Sequence, residues 1–222
     1  MDANEPPAGA DQGRPGVVIP VPEIRDYHEI NKEIVRHLDE GRKTIRLSSV
    51  RGQRLLAAGL RGEWSATIVM EGDAGPELAA GLDAPGLIVI GLGSSADGAA
   101  SGLRAGTVVL LGGAGPALGY AMRGGRVVAA GSVGPRAGLG QSGGEIVVLG
   151  EAGPLAAERQ SGGRFVVGNG RLGPHPGLGQ RGGELVLMKP EDLDRLEILK
   201  PVREWIGPGS PVIDGRAGEA RA

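Results

Sequence analysis

One short phrase, two glycines followed by a run of aliphatic residues and a closing glycine, recurs through the middle of this chain. It reads GGRVVAAG over 124–131, GGEIVVLG over 143–150, GGRFVVG over 162–168 and GGELVLMK from Gly182, so the paired glycines return every 19 to 20 residues. A fixed period of this size belongs to solenoids, in which each repeat is one supersecondary unit that buries its apolar side only against its neighbours. Weaker copies lie upstream, GTVVLLG over 106–112, GLIVIG over 86–91 and TIVMEG over 67–72, which makes seven strand-like runs. Each is too short for a helix, rich in Val, Ile and Leu, and bounded by glycine, the pattern of a buried strand.

The turn glycines implied by the phrase are Gly72, Gly91, Gly112, Gly124, Gly125, Gly131, Gly143, Gly144, Gly150, Gly162, Gly163, Gly168, Gly182 and Gly183. A second phrase links the strands, as in AGPALGYAMRGG from Ala114 and VGPRAGLGQSGG from Val133, and its glycines predict tight turns at left-handed backbone angles. Stacked coils of this kind hydrogen-bond their strands in parallel and share one apolar interior. The expected fold is all-β: a single-stranded parallel β-helix of about seven coils, right-handed by the usual crossover preference, with an N-terminal capping α-helix.

The chain divides accordingly. Residues 1–22, rich in Pro, Gly, Ala and Asp, are expected to form a disordered tail, with Val17, Val18 and Ile19 as the place where its end is pinned. Residues 23–59 hold the capping helix and a lead-in strand, 60–189 the glycine-repeat β-helix, and 190–222 a C-terminal cap and a second disordered tail. Asp26 is the expected N-cap, Tyr27, Ile30, Ile34, Val35 and Leu38 stand at helical spacing, and Gly41 follows as the C-cap. Lys43 to Val50 alternates as a strand with Ile45 and Leu47 on one side. A helix here has a physical purpose, because the end of a β-helix exposes apolar interior and unpaired strand edge.

The inventory of chemistry is thin. There is no cysteine, so thiolate nucleophiles, disulfides and cysteine-ligated clusters are excluded together. A net charge of −2 gives no electrostatic case for nucleic acid or an anionic membrane as partner, and the lack of a long apolar run or a signal pattern makes a cytoplasmic location the expectation. GLGSSA over 91–96 matches a dinucleotide fingerprint on paper, yet no Asp or Glu occurs between Asp97 and Glu145 to hold a ribose. His28 and His37 are nine residues apart and do not share a ligand face, while His175 sits in a Pro-His-Pro turn. Ser94, Ser142 and Ser161 have glycine neighbours but none lies in a nucleophile elbow. Glu145 and Glu184 take the place that Arg126 and Arg164 hold in other coils, which predicts a solvated ladder of alternating charge. No catalytic, cofactor-binding or metal-binding residue is expected on this chain.

Taken with GQRLLAAGLRG from Gly52 and GYAMRGG from Gly119, the repeated phrase resembles the glycine-repeat domain at the C-terminus of the glutamate synthase large subunit, also found as a stand-alone subunit and in one of the chains of formylmethanofuran dehydrogenase. The resemblance covers about Ile24 to Met188, and INKEIVRHLDEGRKTIRLSSVRGQRLLAAGL looks most like the stand-alone glutamate synthase subunit. It implies a β-helix with no active site of its own, packed against a glutaminase-type amidotransferase subunit and an FMN-dependent synthase subunit that carries the FMN and an iron–sulfur cluster. The alternatives are a component of a formylmethanofuran dehydrogenase or formyltransferase/hydrolase complex, and a free-standing β-helix hydrolase or acyltransferase. Stacking of coils from two chains leaves a homo-oligomer open.

Overall fold

The computed structural model describes residues 16–22, 26–168, 170–189 and 192. In chain order they form β1 (Val17–Pro20), α1 (Tyr27–Asp39), β2 (Thr44–Arg51), β3 (Ala66–Asp73), β4 (Asp83–Gly91), β5 (Ala105–Leu110), β6 (Arg126–Ala129), β7 (Ser142–Val148), β8 (Ser161–Val167) and β9 (Gly182–Leu187). All nine strands belong to one parallel sheet in sequential order. The chain is a parallel β-helix, and each of the seven aliphatic runs of the sequence is a strand of it.

Register makes the period physical. Val108 lies beside Val127, Val127 beside Ile146, Ile146 beside Phe165 and Phe165 beside Leu185, steps of 19 or 20 residues. These residues point inward, as do Ile45, Ile68 and Val89 in earlier strands, so each rung of the core carries one aliphatic or aromatic side chain on the next. A second column of single bridges, Ala74, Ser95, Ala114, Val133, Ala152 and Leu172, closes another side. Turns close the third, delivering Leu56, Leu78, Leu118 and Ala156 to the interior.

The sheet begins upstream of the glycine repeat. β2 pairs with β3, and β1, inside the stretch expected to be tail, pairs with β2 from Val17↔Ile45 to Pro20↔Ser48. The pinning expected at Val17 to Ile19 is thus a strand. Residues 1–15, and the expected cap and tail over 190–222 apart from Asp192, lie outside the described residues.

α1 starts at Asp26, whose carboxylate accepts a hydrogen bond from the His28 backbone N–H at 2.8 Å. It ends in a Schellman closure: Gly41, at φ +80°, donates to the Leu38 carbonyl, and Arg42 donates to that of His37. Ile30, Ile34 and Leu38 are buried in the solenoid core, so the helix covers apolar interior at the N-terminal end.

The linking phrases carry the expected left-handed angles at glycines, at Gly119, Gly138 and Gly140 among others, but residues with side chains share them: the first left-handed position of successive turns is Leu55, Glu77, Gly98, Ala117, Arg136, Leu155 and His175, all at φ between +56° and +70°. Each of the first six donates its backbone N–H to the next coil, to the carbonyl of Pro76, Asp97, Pro116, Pro135, Pro154 or Pro174, at 2.8–2.9 Å. Proline lacks an N–H but keeps a full acceptor, which is why a Gly-Pro pair suits this corner. The unfavourable angle, roughly 1–2 kcal/mol for a non-glycine residue, is held by hydrogen bonds between coils.

Candidate functional site

The two glycines of the repeated phrase serve different ends. At Gly143 the angle is unremarkable, but a Cβ would collide with the Arg123 carbonyl oxygen one coil below; Gly124, Gly162 and Gly182 meet the carbonyls of Arg104, Ser142 and Ser161 in the same way. Gly125, Gly144, Gly163 and Gly183 add a left-handed angle of +73° to +79°. At the other end of the strands Gly112, Gly131 and Gly150 each lie backbone on backbone over the coil before, and Gly72 faces the Val50 carbonyl at φ +123°. Gly91 has an ordinary angle and touches the Leu110 side chain, and Gly168 donates its N–H to the Val148 carbonyl at 2.8 Å.

The other sequence candidates are dispersed. The GLGSSA segment enters a bend and a bridge at Ser95, with no helix following; Gly93 abuts the Asp73 carboxylate, which accepts from the Ser94 N–H at 2.7 Å. Ser142 donates to the Met122 carbonyl at 3.4 Å. His175 is an exposed turn residue at φ +59°. His28 donates from Nδ1 to Asp26, and the two interactions from His28, backbone first, hold the Asp26 carboxyl below the ordinary aspartate range. His37 is nearly buried: the Arg36 guanidinium donates to its Nε2 at 3.1 Å, so the ring proton sits on Nδ1 and points to Glu40 at 3.2 Å. That bond is the main cause that lowers the Glu40 pKa.

The expected charge ladder is present. Arg126, Glu145, Arg164 and Glu184 occupy one register column. Arg164 reaches Glu145 at 3.1 Å and Glu184 at 3.5 Å. Half-solvated pairs of this kind contribute little individually, typically under about 1 kcal/mol.

Two features went unread in the sequence. Gln141, Gln160 and Gln180 stack at the rung where earlier coils have Leu60, Leu82, Leu103 and Met122; Gln160 donates to Gln141 at 3.3 Å and Gln180 to Gln160 at 3.1 Å. Gln141 and Gln160 are completely buried, and their amides also reach carbonyls of their own coil and the next. Asn31 of α1, the other feature, donates to the Leu55 carbonyl and accepts from the Ala57 N–H, both at 2.9 Å, tying the helix to the first turn.

Beside that tie lies an open, mainly apolar groove of about 600 Å³ between Tyr27, His28 and Val35 of α1 and the turns at Leu55, Leu60 and Ala80. A smaller hollow of about 380 Å³ runs over three coil corners and is flanked by the Glu151–Arg171 ion pair, 2.6 Å long. Among the described residues no three His, Cys, Asp or Glu side chains are grouped to hold a metal ion, and no helix is long and apolar enough to cross a membrane.

No family model matches the chain, and no curated protein or solved structure is significantly similar to it.

Proposed function

We propose that this chain is a non-catalytic scaffold subunit of a glutamate synthase-like amidotransferase and oxidoreductase complex. The observation that carries the reading is the use of the repeated phrase. Its paired glycines seat each coil on the carbonyls of the coil before, giving the β-helix that the resemblance implies. Function follows from shape: a stiff parallel stack can hold a glutaminase-type subunit and an FMN-dependent synthase subunit at a fixed separation.

The implied cofactors belong to the partners. An iron–sulfur cluster requires thiolates, and this chain has no cysteine. A flavin phosphate favours a helix N-terminus free to receive an anion, whereas the start of α1 is already capped by the Asp26 carboxylate. No chemical step is therefore assigned to residues of this chain.

The test is affinity capture of the tagged full chain from its own cells, with mass spectrometry and an absorbance spectrum of the eluate. Co-elution of a glutaminase-like chain with a yellow, FMN-bearing chain is the expected result. Formyltransferase-like or amidohydrolase-like companions, or flavin binding or glutaminase activity by the purified chain alone, overturn it.

A further inference from the structure

From β4 to β8 the strands are apolar on both faces at mid-strand, and the outward row there is as thoroughly buried as the core. Ile90, Val109, Val128, Val147 and Val166 follow one another in register and point away from the solenoid interior, with Val186 at the end of the row. Their exposures run from 0 to 2% for the first five, and Val128, Val147 and Val166 are at 0%. Flat valines on a solvated sheet face keep part of their surface in water, and parallel sheets characteristically have cover on both sides. Every described apolar neighbour of this row belongs to the same outward face, including Leu111, Leu149 and Met188. α1 is elsewhere, tied to the first turn through Asn31 and buried against the N-terminal coils.

The chain itself supplies a candidate occupant. Met188, the last residue of the row's second column, is followed by 34 further residues, and the first of them read KPEDLDRLEILKPVREWI. Within that stretch Leu193, Leu196, Ile198, Leu199, Val202, Trp205 and Ile206 are apolar and interspersed with charged residues, and Leu193, Leu196, Leu199, Val202 and Trp205 stand three apart. Six rungs at about 4.8 Å span about 24 Å. Fourteen residues reach about 21 Å at helical rise and about 46 Å when extended, so 193–206 can cover five of the six rungs as a helix and all six in a more extended form. The ladder Arg126, Glu145, Arg164 and Glu184 borders the row on the same face and offers both signs of charge to Arg195, Glu197, Arg203 and Glu204.

We propose that residues 193–206 fold back over the outward valine row, making the second layer of the sheet from the chain's own C-terminal segment. The row is then an intramolecular docking surface, and the solenoid has two dry layers in place of one.

The absence of cysteine allows a clean test in the full chain. Val128→Cys and, separately, Val147→Cys report the row, and Val18→Cys, at a position 57% exposed, is the control. Maleimide labelling is followed at native pH, with circular dichroism to show that each variant is folded. Labelling of Val128→Cys and Val147→Cys should be at least about tenfold slower than the control, and Leu196→Asp with Leu199→Asp should raise both to within about threefold of it. Labelling at the control rate in the otherwise unaltered chain overturns the proposal. So does protection that survives the two aspartates, or protection that fades on dilution, which assigns the cover to a second copy.

Discussion

Replacing Gln160 by leucine puts into the buried amide column the residue that earlier coils already use at Leu60, Leu82 and Leu103, so the volume is tolerated and the polar contacts alone are tested. The Gln160 amide nitrogen has two hydrogens and lies 3.2–3.4 Å from four acceptors: the Gln141 side-chain oxygen and the carbonyls of Gly162, Gly163 and Glu184. Its own oxygen accepts from Gln180. Gln180 is exposed and can turn to water, whereas Gln141 is fully buried and its side-chain oxygen loses this donor. One orphaned buried acceptor costs about 1–3 kcal/mol, partly offset by the added apolar burial of leucine, so Gln160→Leu should destabilise by about 1–2 kcal/mol. The decisive quantity is the coupling. Gln141→Leu with Gln160→Leu removes both partners and leaves neither orphaned, so the double variant should be about 1 kcal/mol more stable than the sum of the singles. Urea unfolding followed by far-ultraviolet circular dichroism and by tryptophan fluorescence, with coincident transitions, measures all four corners of the cycle. Additivity within about 0.5 kcal/mol, or a single variant more stable than the parent, would refute the argument.

Gly143→Ala and Gly140→Ala separate collision from angle. The first forces a methyl onto the Arg123 carbonyl and should cost more than about 2 kcal/mol, or prevent soluble expression; the second, at φ +66° with open space around it and with Ala121 and Arg159 at equivalent positions, should change the urea midpoint by less than about 1 kcal/mol. Phe165→Ala empties the widest rung of the core and should cost about 3–5 kcal/mol by the same unfolding assay. Asp26 and Glu40 have folded pKa values below their ordinary ones, so their contacts stabilise above the unfolded value and are lost as pH falls through the folded one. The protection factors of the Ile30 and Ile34 amides, corrected for intrinsic exchange, should therefore fall below about pH 4, and Asp26→Asn should flatten part of that dependence.

Strands and their period were legible because the signal is redundant: the same Val-Val or Ile-Val pair returns beside the same glycines, and the register then follows from the step. The helix was legible down to its caps because Asp26 and Gly41 sit where the unpaired backbone groups require them. What stayed hidden depends on a neighbour one coil away. Gln141 and Gln160 look like turn polars until they are stacked, since burial is supplied by residues 19 positions distant. Leu55, Glu77 and Arg136 gave no warning of left-handed angles, because the hydrogen bonds that hold them come from the following coil. Asn31 resembles any solvent-facing helix residue until the first turn is laid beside it. For the candidate site, the sequence located the charge ladder and the packing glycines, while the groove beside α1 exists only through the meeting of helix and turns.

The seating of each coil on the one before has a consequence for how such a molecule can change size. Removing residues 125–143, one full step of the register, would join Gly124 to Gly144 and leave every later side chain facing as it does now. Removing one residue more or fewer keeps that facing only where a turn absorbs the difference, as in the 20-residue step from Phe165 to Leu185; taken from within a strand it would turn the downstream valines inside out. Length in this architecture is quantised, a ruler graduated in ticks of about 4.8 Å, and anything gripping it at two places can be moved apart or together only by whole ticks.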